Sequence, residues 1–417
     1  MEELTIETIS ESTKKKKLWN KDFILLLQGS VVSTLGDLMY SVAIGFWVYS
    51  ETGSSGLMGV MTAISMFVTM ILSPFTGSIV DKCNRKWVLV GMDLLQSAIM
   101  ITVGILAYTN NLNVPIVLVA AFLASFGTVF YNPAASTLMI DIIPHDDMVR
   151  GQSLFQGSTS FINLVGSAFS GVMITALGVP LIIVINGLSN LYSAISEMFI
   201  NVPKTVNQGA PVTVKGIARD FAASIRFIFS DVHLKVFIPC ILTINLLAAG
   251  PFSLIMPFII EKGFSVDMYG YIMALWTAAS LICVLLLGVI KLSPKMRFWA
   301  MSIGYCGMVL CLVLTYLSTN FAVMCVFAFI GAFMNTAGNT IFNASFMLAI
   351  PEENRGAILG FVQAASVGGS AISTVVYGFL GDIFPLYIVF TVGTIISLIP
   401  MLYLCLYPKT KEFILSH

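Results

Sequence analysis

Long apolar runs separated by short polar stretches make up most of the chain. The runs lie near residues 23–50, 56–80, 87–108, 115–142, 149–176, 180–202, 236–260, 267–290, 298–318, 321–349, 356–381 and 385–407. Each has the length of about 20 residues that a helix needs to cross a bilayer. A lipid-exposed backbone must satisfy its own hydrogen bonds, and barrel strands would alternate polar and apolar positions. The pattern therefore predicts an all-α membrane protein with twelve transmembrane helices, numbered here as spans one to twelve.

A polar stretch in the middle of the chain separates six of these runs from the other six. We predict a cytoplasmic tail at 1–21, a six-helix half at 22–202, a linker at 203–234, a second six-helix half at 235–408 and a tail at 409–417. Within the linker, apolar residues recur on one helical face at Ile217, Phe221, Ile225 and Phe229. This spacing is typical of an amphipathic helix that lies on a membrane surface.

The two halves share a local pattern that indicates an internal repeat. Pro144 and Pro351 follow the fourth and tenth runs and are separated by 207 residues. Gly171 and Gly378, in the runs that come next, have the same separation. We therefore predict two six-helix pseudo-repeats. Repeats of this kind mark secondary transporters, whose substrate site lies between the halves near the middle of the membrane.

Composition excludes several classes of protein. Of the 417 residues, 57% are hydrophobic and only 10% are charged, whereas soluble proteins carry about 25% charged residues. A cytosolic enzyme is therefore excluded, and a net charge of +0 gives no general attraction to nucleic acid. The sequence has no phosphate-binding loop of the Gly-Lys-Ser/Thr type, so any ATPase would be another subunit. Its histidines and cysteines form no metal-ligand cluster, and we expect neither a metal nor a cofactor.

Basic residues fall on one side of the predicted bundle. Of the 21 Lys and Arg residues, 20 lie in the tails, the linker or the loops after even-numbered spans, and only Lys262 lies on the other side. Cytoplasmic segments of membrane proteins carry an excess of Lys and Arg. The sequence therefore predicts a multi-pass protein of the plasma membrane with both termini and the linker in the cytoplasm.

The loop after span two carries a recognisable motif. It reads Gly77-Ser-Ile-Val-Asp81-Lys82-Cys-Asn-Arg85-Lys86. This resembles the major facilitator signature, with Asn84 in place of its second glycine; asparagine tolerates the left-handed backbone that glycine usually supplies.

The resemblance implies a latch, a set of contacts that holds one access state closed. In this latch, which includes Gly77 and Lys86, Asp81 would cap the positive start of span eleven. Arg85 would meet Asp141 at the cytoplasmic end of span four in a charge-assisted pair.

Further stretches resemble the drug:proton antiporter branch of this superfamily, typified by macrolide exporters. Residues 122–134 match its fourth span, and 33–37 match a first-span pattern shared with siderophore exporters and, loosely, with ferroportins. Two features of this sequence depart from the pattern of that branch. Ala124 stands where many relatives carry an arginine linked to proton handling, and the fifth-span antiporter motif is reduced to Gly166, Ser167 and Gly171.

Polar residues inside the spans form the candidate site. Asp37 lies in the middle of span one, where an isolated charge costs roughly 2.5–3.5 kcal/mol, and we predict that it binds protons or substrate. The alternative is that Asp37 only hydrogen-bonds across helices, for example to the asparagines of span ten. The remaining candidates share its helix face or lie on spans four, seven and ten, which line the cavity in this family: Ser33, Tyr40, Ser41, Tyr131, Asn132, Asn245, Asn335, Asn339 and Asn343. Asp93 and Glu197 lie close enough to the cytoplasmic end that we expect them at the interface or in the latch.

We therefore expect a secondary active transporter rather than an enzyme. It would act as a monomer in the lipid bilayer and export amphipathic small molecules, such as macrolide-like drugs, in exchange for protons. The alternatives are export of a lipid, a siderophore or a metal ion, a membrane sensor that does not transport, and the permease part of an ATP-driven complex. Polar groups on the cavity helices favour transport over sensing.

Overall fold

The computed structural model describes residues 18–144, 147–201, 226–228, 234–290, 293–349 and 355–407, and its regular elements there are helices. They are α1 (Lys21–Thr52), α2 (Ser55–Lys82), α3 (Arg85–Tyr108), α4 (Val114–Ile142), α5 (Met148–Leu177), α6 (Val179–Met198), α7 (Leu234–Ser253), α8 (Ile255–Glu261), α9 (Val266–Val289), α10 (Pro294–Leu317), α11 (Phe321–Ala349), α12 (Arg355–Ile383) and α13 (Leu386–Leu406). These helices confirm the all-α prediction.

The predicted spans and the observed helices agree to within a few residues at most ends, because charges and polar caps mark those ends in the sequence. Asn20 accepts a hydrogen bond from the backbone N–H of Phe23 at the start of α1, and Ser54 accepts one from Leu57 at the start of α2. Such caps satisfy backbone donors that a helix leaves free at its N-terminus.

Span seven is one departure from the prediction, since it is broken into α7 and α8 at Leu254. Pro251 lies in the last turn of α7, and a proline removes a backbone donor and disturbs the preceding turn. Spans eight to twelve are therefore α9 to α13. In the described ranges, eleven helices are long and apolar enough to cross a membrane, or up to twelve when the 51° bend in α5 counts as one broken span.

The two ends of the bundle differ in how the halves pack. We call them the Lys262 end, where Gly53, Gly178 and Gly263 form turns with positive φ, and the Arg85 end, where α2 turns into α3. At the Lys262 end, one hydrophobic core joins residues of both halves, among them Val48, Ile183, Phe258, Tyr316 and Phe390.

At the Arg85 end, each half has its own core. One contains Phe23 and Leu138 from the first half, and the other contains Phe237 and Phe342 from the second. The structure is thus closed at the Lys262 end, while the halves pack separately at the Arg85 end.

The glycines of the predicted repeat lie where the halves meet. The halves contact each other mainly through α2 with α12 and α5 with α9. A Cβ at Gly378 would overlap the backbone of Ser55 and Gly56 at the start of α2, and one at Gly171 would overlap the backbone of Asp267 at the start of α9. The shared 207-residue spacing therefore marks two equivalent close approaches of helix backbones.

Several predictions fall on residues that the structure does not describe. The linker helix predicted from Ile217, Phe221, Ile225 and Phe229 lies outside the described residues, as do 1–17 and 408–417. The domain boundaries and the cytoplasmic position of the termini therefore stay predictions.

Candidate functional site

Asp37 lies between two cavities of the first half. One cavity, of about 320 Å³, is lined by Asp37 together with Tyr40, Ser41 and Ala124. The other, of about 290 Å³, is lined by Asp37 and by Ser33, Asp93, Gln96, Tyr131, Asn132 and Asn190. The structure therefore brings together the predicted residues of spans one and four.

The hydrogen-bond partner of Asp37 is on α6 and not on span ten. Asn190 Nδ2 donates to Asp37 Oδ1 over 3.4 Å and also to Asn186 Oδ1 over 3.0 Å. Helix α1 reaches this face of α6 because Gly36 has no side chain: a Cβ there would lie 2.2 Å from Ser189 Oγ and 2.7 Å from Asn186 Oδ1. The alternative interpretation named the asparagines of span ten as possible partners of Asp37, and the observed partner lies on α6 because α1 packs against α6 in its own half.

Two serines on the helix face of Asp37 are already bonded within α1. Ser33 Oγ donates to Ser30 O over 3.3 Å, and Ser41 Oγ donates to Leu38 O over 2.9 Å. Both serines line the cavities, but each hydroxyl already donates its proton to a backbone carbonyl of α1.

Asp93 and Glu197 lie inside the first half, contrary to the expected position at the interface. Their exposed fractions are 2% and 0%. They are buried because α3 packs closely on α6, where Gly187 leaves room for Ile101 and Ser97. Tyr131, predicted as a cavity residue, donates its hydroxyl to Glu197 Oε1 over 2.9 Å.

The second half holds a cavity of about 890 Å³. Met66 of α2 contributes to its lining, together with polar side chains from four helices of the second half: Asn245, Tyr305, Asn339, Asn343, Gln363, Ser366 and Ser370. A neighbouring cavity of about 320 Å³ is lined by Asn245, Asn335, Asn339, Trp276 and Tyr316. Among the described residues, none that lines either cavity is charged.

The asparagines of this half differ in how firmly they are held. Asn339 Nδ2 donates to Asn335 Oδ1 over 2.8 Å, and Tyr305 Oη donates to Asn339 Oδ1 over 3.2 Å. Asn245 Nδ2 donates to Ile241 O over 2.9 Å. Asn343 lines the large cavity one helical turn further along α11 and is exposed there. These amides present both donors and acceptors to a bound molecule.

The predicted contact between Arg85 and Asp141 is present in the structure. The guanidinium and the carboxylate form an ion pair, with side chains only 10% and 16% exposed. Lys86 instead lies with its ammonium 5.5 Å from the ring centre of Trp87. The surroundings of Gly77 and the side chain of Asp81 are outside the described part, so the latch role stays a prediction.

Asp382, at the end of α12, was missed by the sequence analysis. Its carboxylate accepts hydrogen bonds from Ser54 Oγ over 2.6 Å, from Ser55 Oγ over 3.0 Å and from Gly56 N over 3.2 Å. A carboxylate at a helix N-terminus is favourable, and these bonds join α12 of one half to α2 of the other at the Lys262 end. The available signal was its position four residues after the repeat glycine Gly378.

Comparison with known proteins places these features in context. The family model of the Major Facilitator Superfamily matches residues 26–297 and 240–414. Macrolide efflux protein A of Streptococcus pyogenes is 24% identical over 46% of this chain and 47% of that protein. The uncharacterized MFS-type transporter YkuC of Bacillus subtilis is 23% identical over 62% of this chain and 61% of that protein. The aligned part of the chain spans about half the length of the macrolide relative.

Solved structures show the same fold at low identity. The nucleoside transporter NupG aligns with a TM-score of 0.72 and 12% identity over 91% of this chain and 97% of that chain. A bacterial homologue of the iron transporter ferroportin, in an inward-facing state, aligns with a TM-score of 0.71 and 13% identity over 92% of this chain and 98% of that chain. At these identities the likeness concerns the fold alone.

Proposed function

Because this chain belongs to the Major Facilitator Superfamily, we propose that it exports amphipathic small molecules, such as macrolide-like drugs, by secondary active transport in exchange for protons. The observation that carries the proposal is Asp37, a carboxylate in the middle of a membrane span that lies between two cavities and has amide partners. Relatives named macrolide efflux proteins support the direction and the substrate class.

The packing of the two ends supports alternating access. The shared core and the bonds of Asp382 close the Lys262 end, while the Arg85 end is built from two separate cores. The excess of basic residues in the loops at the Arg85 end favours a cytoplasmic position for that end, and the packing supports a cytoplasm-facing state in this proposal. The reverse state would require the contacts between α2 and α12 and between α5 and α9 to open.

The surroundings of Asp37 support a proton as its counter-ion. Ala124, at the position where related exporters carry an arginine, lines the same cavity as Asp37. Without that arginine, neutralisation of Asp37 by a proton removes the cost of an isolated charge in the membrane. In the cytoplasm-facing state Asp37 would release its proton and substrate would bind; after the switch a proton from outside would replace the substrate.

The second half supports binding of neutral polar groups. Its cavities present amides, hydroxyls and aromatic rings, which suit a large molecule with both polar and apolar surface. A metal-ion substrate is less favoured, because the described residues contain no group of three or more His, Cys, Asp or Glu side chains able to hold a metal ion.

Transport into vesicles tests the proposal. Purified protein is reconstituted, and uptake of radiolabelled erythromycin is measured with and without an imposed pH difference. We expect accumulation above the external concentration only with the pH difference, and its collapse when a protonophore is added. Uptake that never exceeds equilibrium would contradict proton coupling, and ATP-dependent uptake would favour the permease alternative. No uptake of erythromycin or of other hydrophobic toxic compounds would favour a sensor.

A further inference from the structure

A second pair of carboxylates lies behind the cavity of Asp37. Asp93 of α3 and Glu197 of α6 are almost completely buried. Asp93 Oδ2 and Glu197 Oε2 have no hydrogen-bond partner. The Ser193 hydroxyl lies close to both carboxylates but makes no hydrogen bond of good geometry to either, and its single proton can satisfy only one of them. Buried polar atoms of native proteins are almost always satisfied, so at least one carboxylate oxygen of this pair needs a proton that the neighbouring side chains do not supply.

Among the described residues, the groups that face this pair provide no positive charge. From the helices packed against α3 and α6, the titratable groups are Asp37 on α1 and Tyr131 on α4. Tyr131 donates its hydroxyl to Glu197 Oε1 and cannot neutralise a second carboxylate. Two buried like charges without a cation are strongly disfavoured, and a proton held between the two acids removes the repulsion.

The pair also has a route to water. Asp93 lines the 290 Å³ cavity together with Asp37 and Tyr131, whereas Glu197 lies behind Tyr131. A proton from water in this cavity can reach Asp93 directly, and the hydroxyl of Tyr131 connects the cavity to Glu197. It returns to the same water when it leaves, so no other reactant is needed.

We propose that Asp93 and Glu197 form a second proton-binding site, separate from Asp37, that exchanges its proton with water of the shared cavity. A role of this proton in transport rests on the proposed function, but its binding does not. The competing view is that the two acids are a fixed structural pair, in which one proton stays in place at every pH the protein meets.

Infrared difference spectroscopy on the reconstituted protein tests the proposal without transport. Spectra are recorded from about pH 5 to about pH 9, a range that reaches well above ordinary carboxylic-acid titration, in H₂O and in D₂O. We expect a carbonyl band of a protonated carboxyl group that shifts in D₂O and disappears reversibly as the pH rises. Glu197→Gln and Asp93→Asn should each remove or displace this band.

Controls separate the pair from the other acids. Glu51→Gln, at the exposed end of α1, should leave the band unchanged, and Asp37→Asn should remove only a different band. If either pair variant fails to fold, Tyr131→Phe replaces it: loss of the hydroxyl that donates to Glu197 should displace the band while the ring still fills its space.

Two outcomes would overturn the proposal. One is the absence of any protonated-carboxyl band that responds to the pair variants, and the other is a band that responds to them but does not change with pH. If the band titrates but the protein shows no pH-driven export, the second proton site stands and the proposed proton coupling fails. If export is proton-coupled but the band is absent, only the second proton site fails.

Discussion

The two halves of the bundle share a fold but present different chemistry to their cavities. Both halves line their cavities with amides, hydroxyls and aromatic rings, but the first half adds the carboxylates of Asp37 and Asp93, whereas no described residue that lines the two cavities of the second half is charged. The difference is not one of architecture, because Asn132 and Asn339 occupy positions 207 residues apart in the repeat and both line cavities. Under the proposed function, the duplicated scaffold would assign proton binding to one half and substrate contact to the other.

The halves must communicate for such a division to couple the two events. Met66 of α2 belongs to the first half but lines the 890 Å³ cavity of the second. Helix α2 also contacts α12 along the interface closed by Asp382. Under the proposed function, substrate in this cavity would touch the helix whose movement would open and close the Lys262 end.

The largest effect is expected from Asp37→Asn, which keeps the side-chain shape and cannot cycle a proton. A pH difference of one unit supports about tenfold accumulation for each proton exchanged, and the variant should lose all of it. Exchange of labelled for unlabelled erythromycin should continue. Uphill accumulation by the variant at matched protein levels would show that a residue other than Asp37 couples proton movement to transport.

The next largest effect is expected from Arg85→Ala. Loss of a bond to a charged partner costs roughly 1.5–3 kcal/mol, which changes the balance of access states by about tenfold or more and should reduce the export rate strongly. Lys86→Ala is the matched control, since Lys86 lies over Trp87 instead. Initial export rates at equal membrane insertion provide the comparison; equal rates would show that the Arg85–Asp141 pair does not hold an access state closed.

A smaller and different effect is expected from Asn343→Ala in the second half. Loss of one neutral hydrogen bond costs about 1 kcal/mol, so the half-saturating substrate concentration should rise about fivefold. The accumulation ratio at a given pH difference should not change. A changed ratio would show that the second half takes part in proton coupling. It would contradict the idea that only the first half binds the coupling proton.

The smallest effect is expected from Ser41→Ala. Although Ser41 lines a cavity with Asp37, its hydroxyl is bonded to Leu38 O within the same helix. Export rate and half-saturation should change less than about twofold, because such intrahelical bonds add little. A tenfold loss of affinity would instead place substrate against α1.

The fold was largely predictable because the length and spacing of apolar runs are local properties. The helix ends at Asn20 and Ser54 are likewise local, since a cap and its donor lie three residues apart. The break of span seven at Leu254 was less evident, because many membrane helices tolerate proline when their neighbours satisfy the freed backbone groups.

Contacts between residues far apart in the sequence limited how much of the candidate site could be predicted. Asn190 and Asp37 are 153 residues apart, and Ser54 and Asp382 are 328 apart. Helical periodicity tells which residues share a face but not which helix covers that face. The Arg85–Asp141 contact was expected only because the family motif carries that pairing, and no such motif marked Asp93 and Glu197.

Proton release on substrate binding tests the division between the halves most directly. Erythromycin is added to purified protein in weakly buffered detergent solution near neutral pH, and the protons released per molecule bound are counted with a pH-sensitive dye. We predict that the wild type releases protons, that Asn343→Ala releases the same number per bound molecule at higher concentration, and that Asp37→Asn releases fewer. Equal release by Asp37→Asn and the wild type would contradict the account.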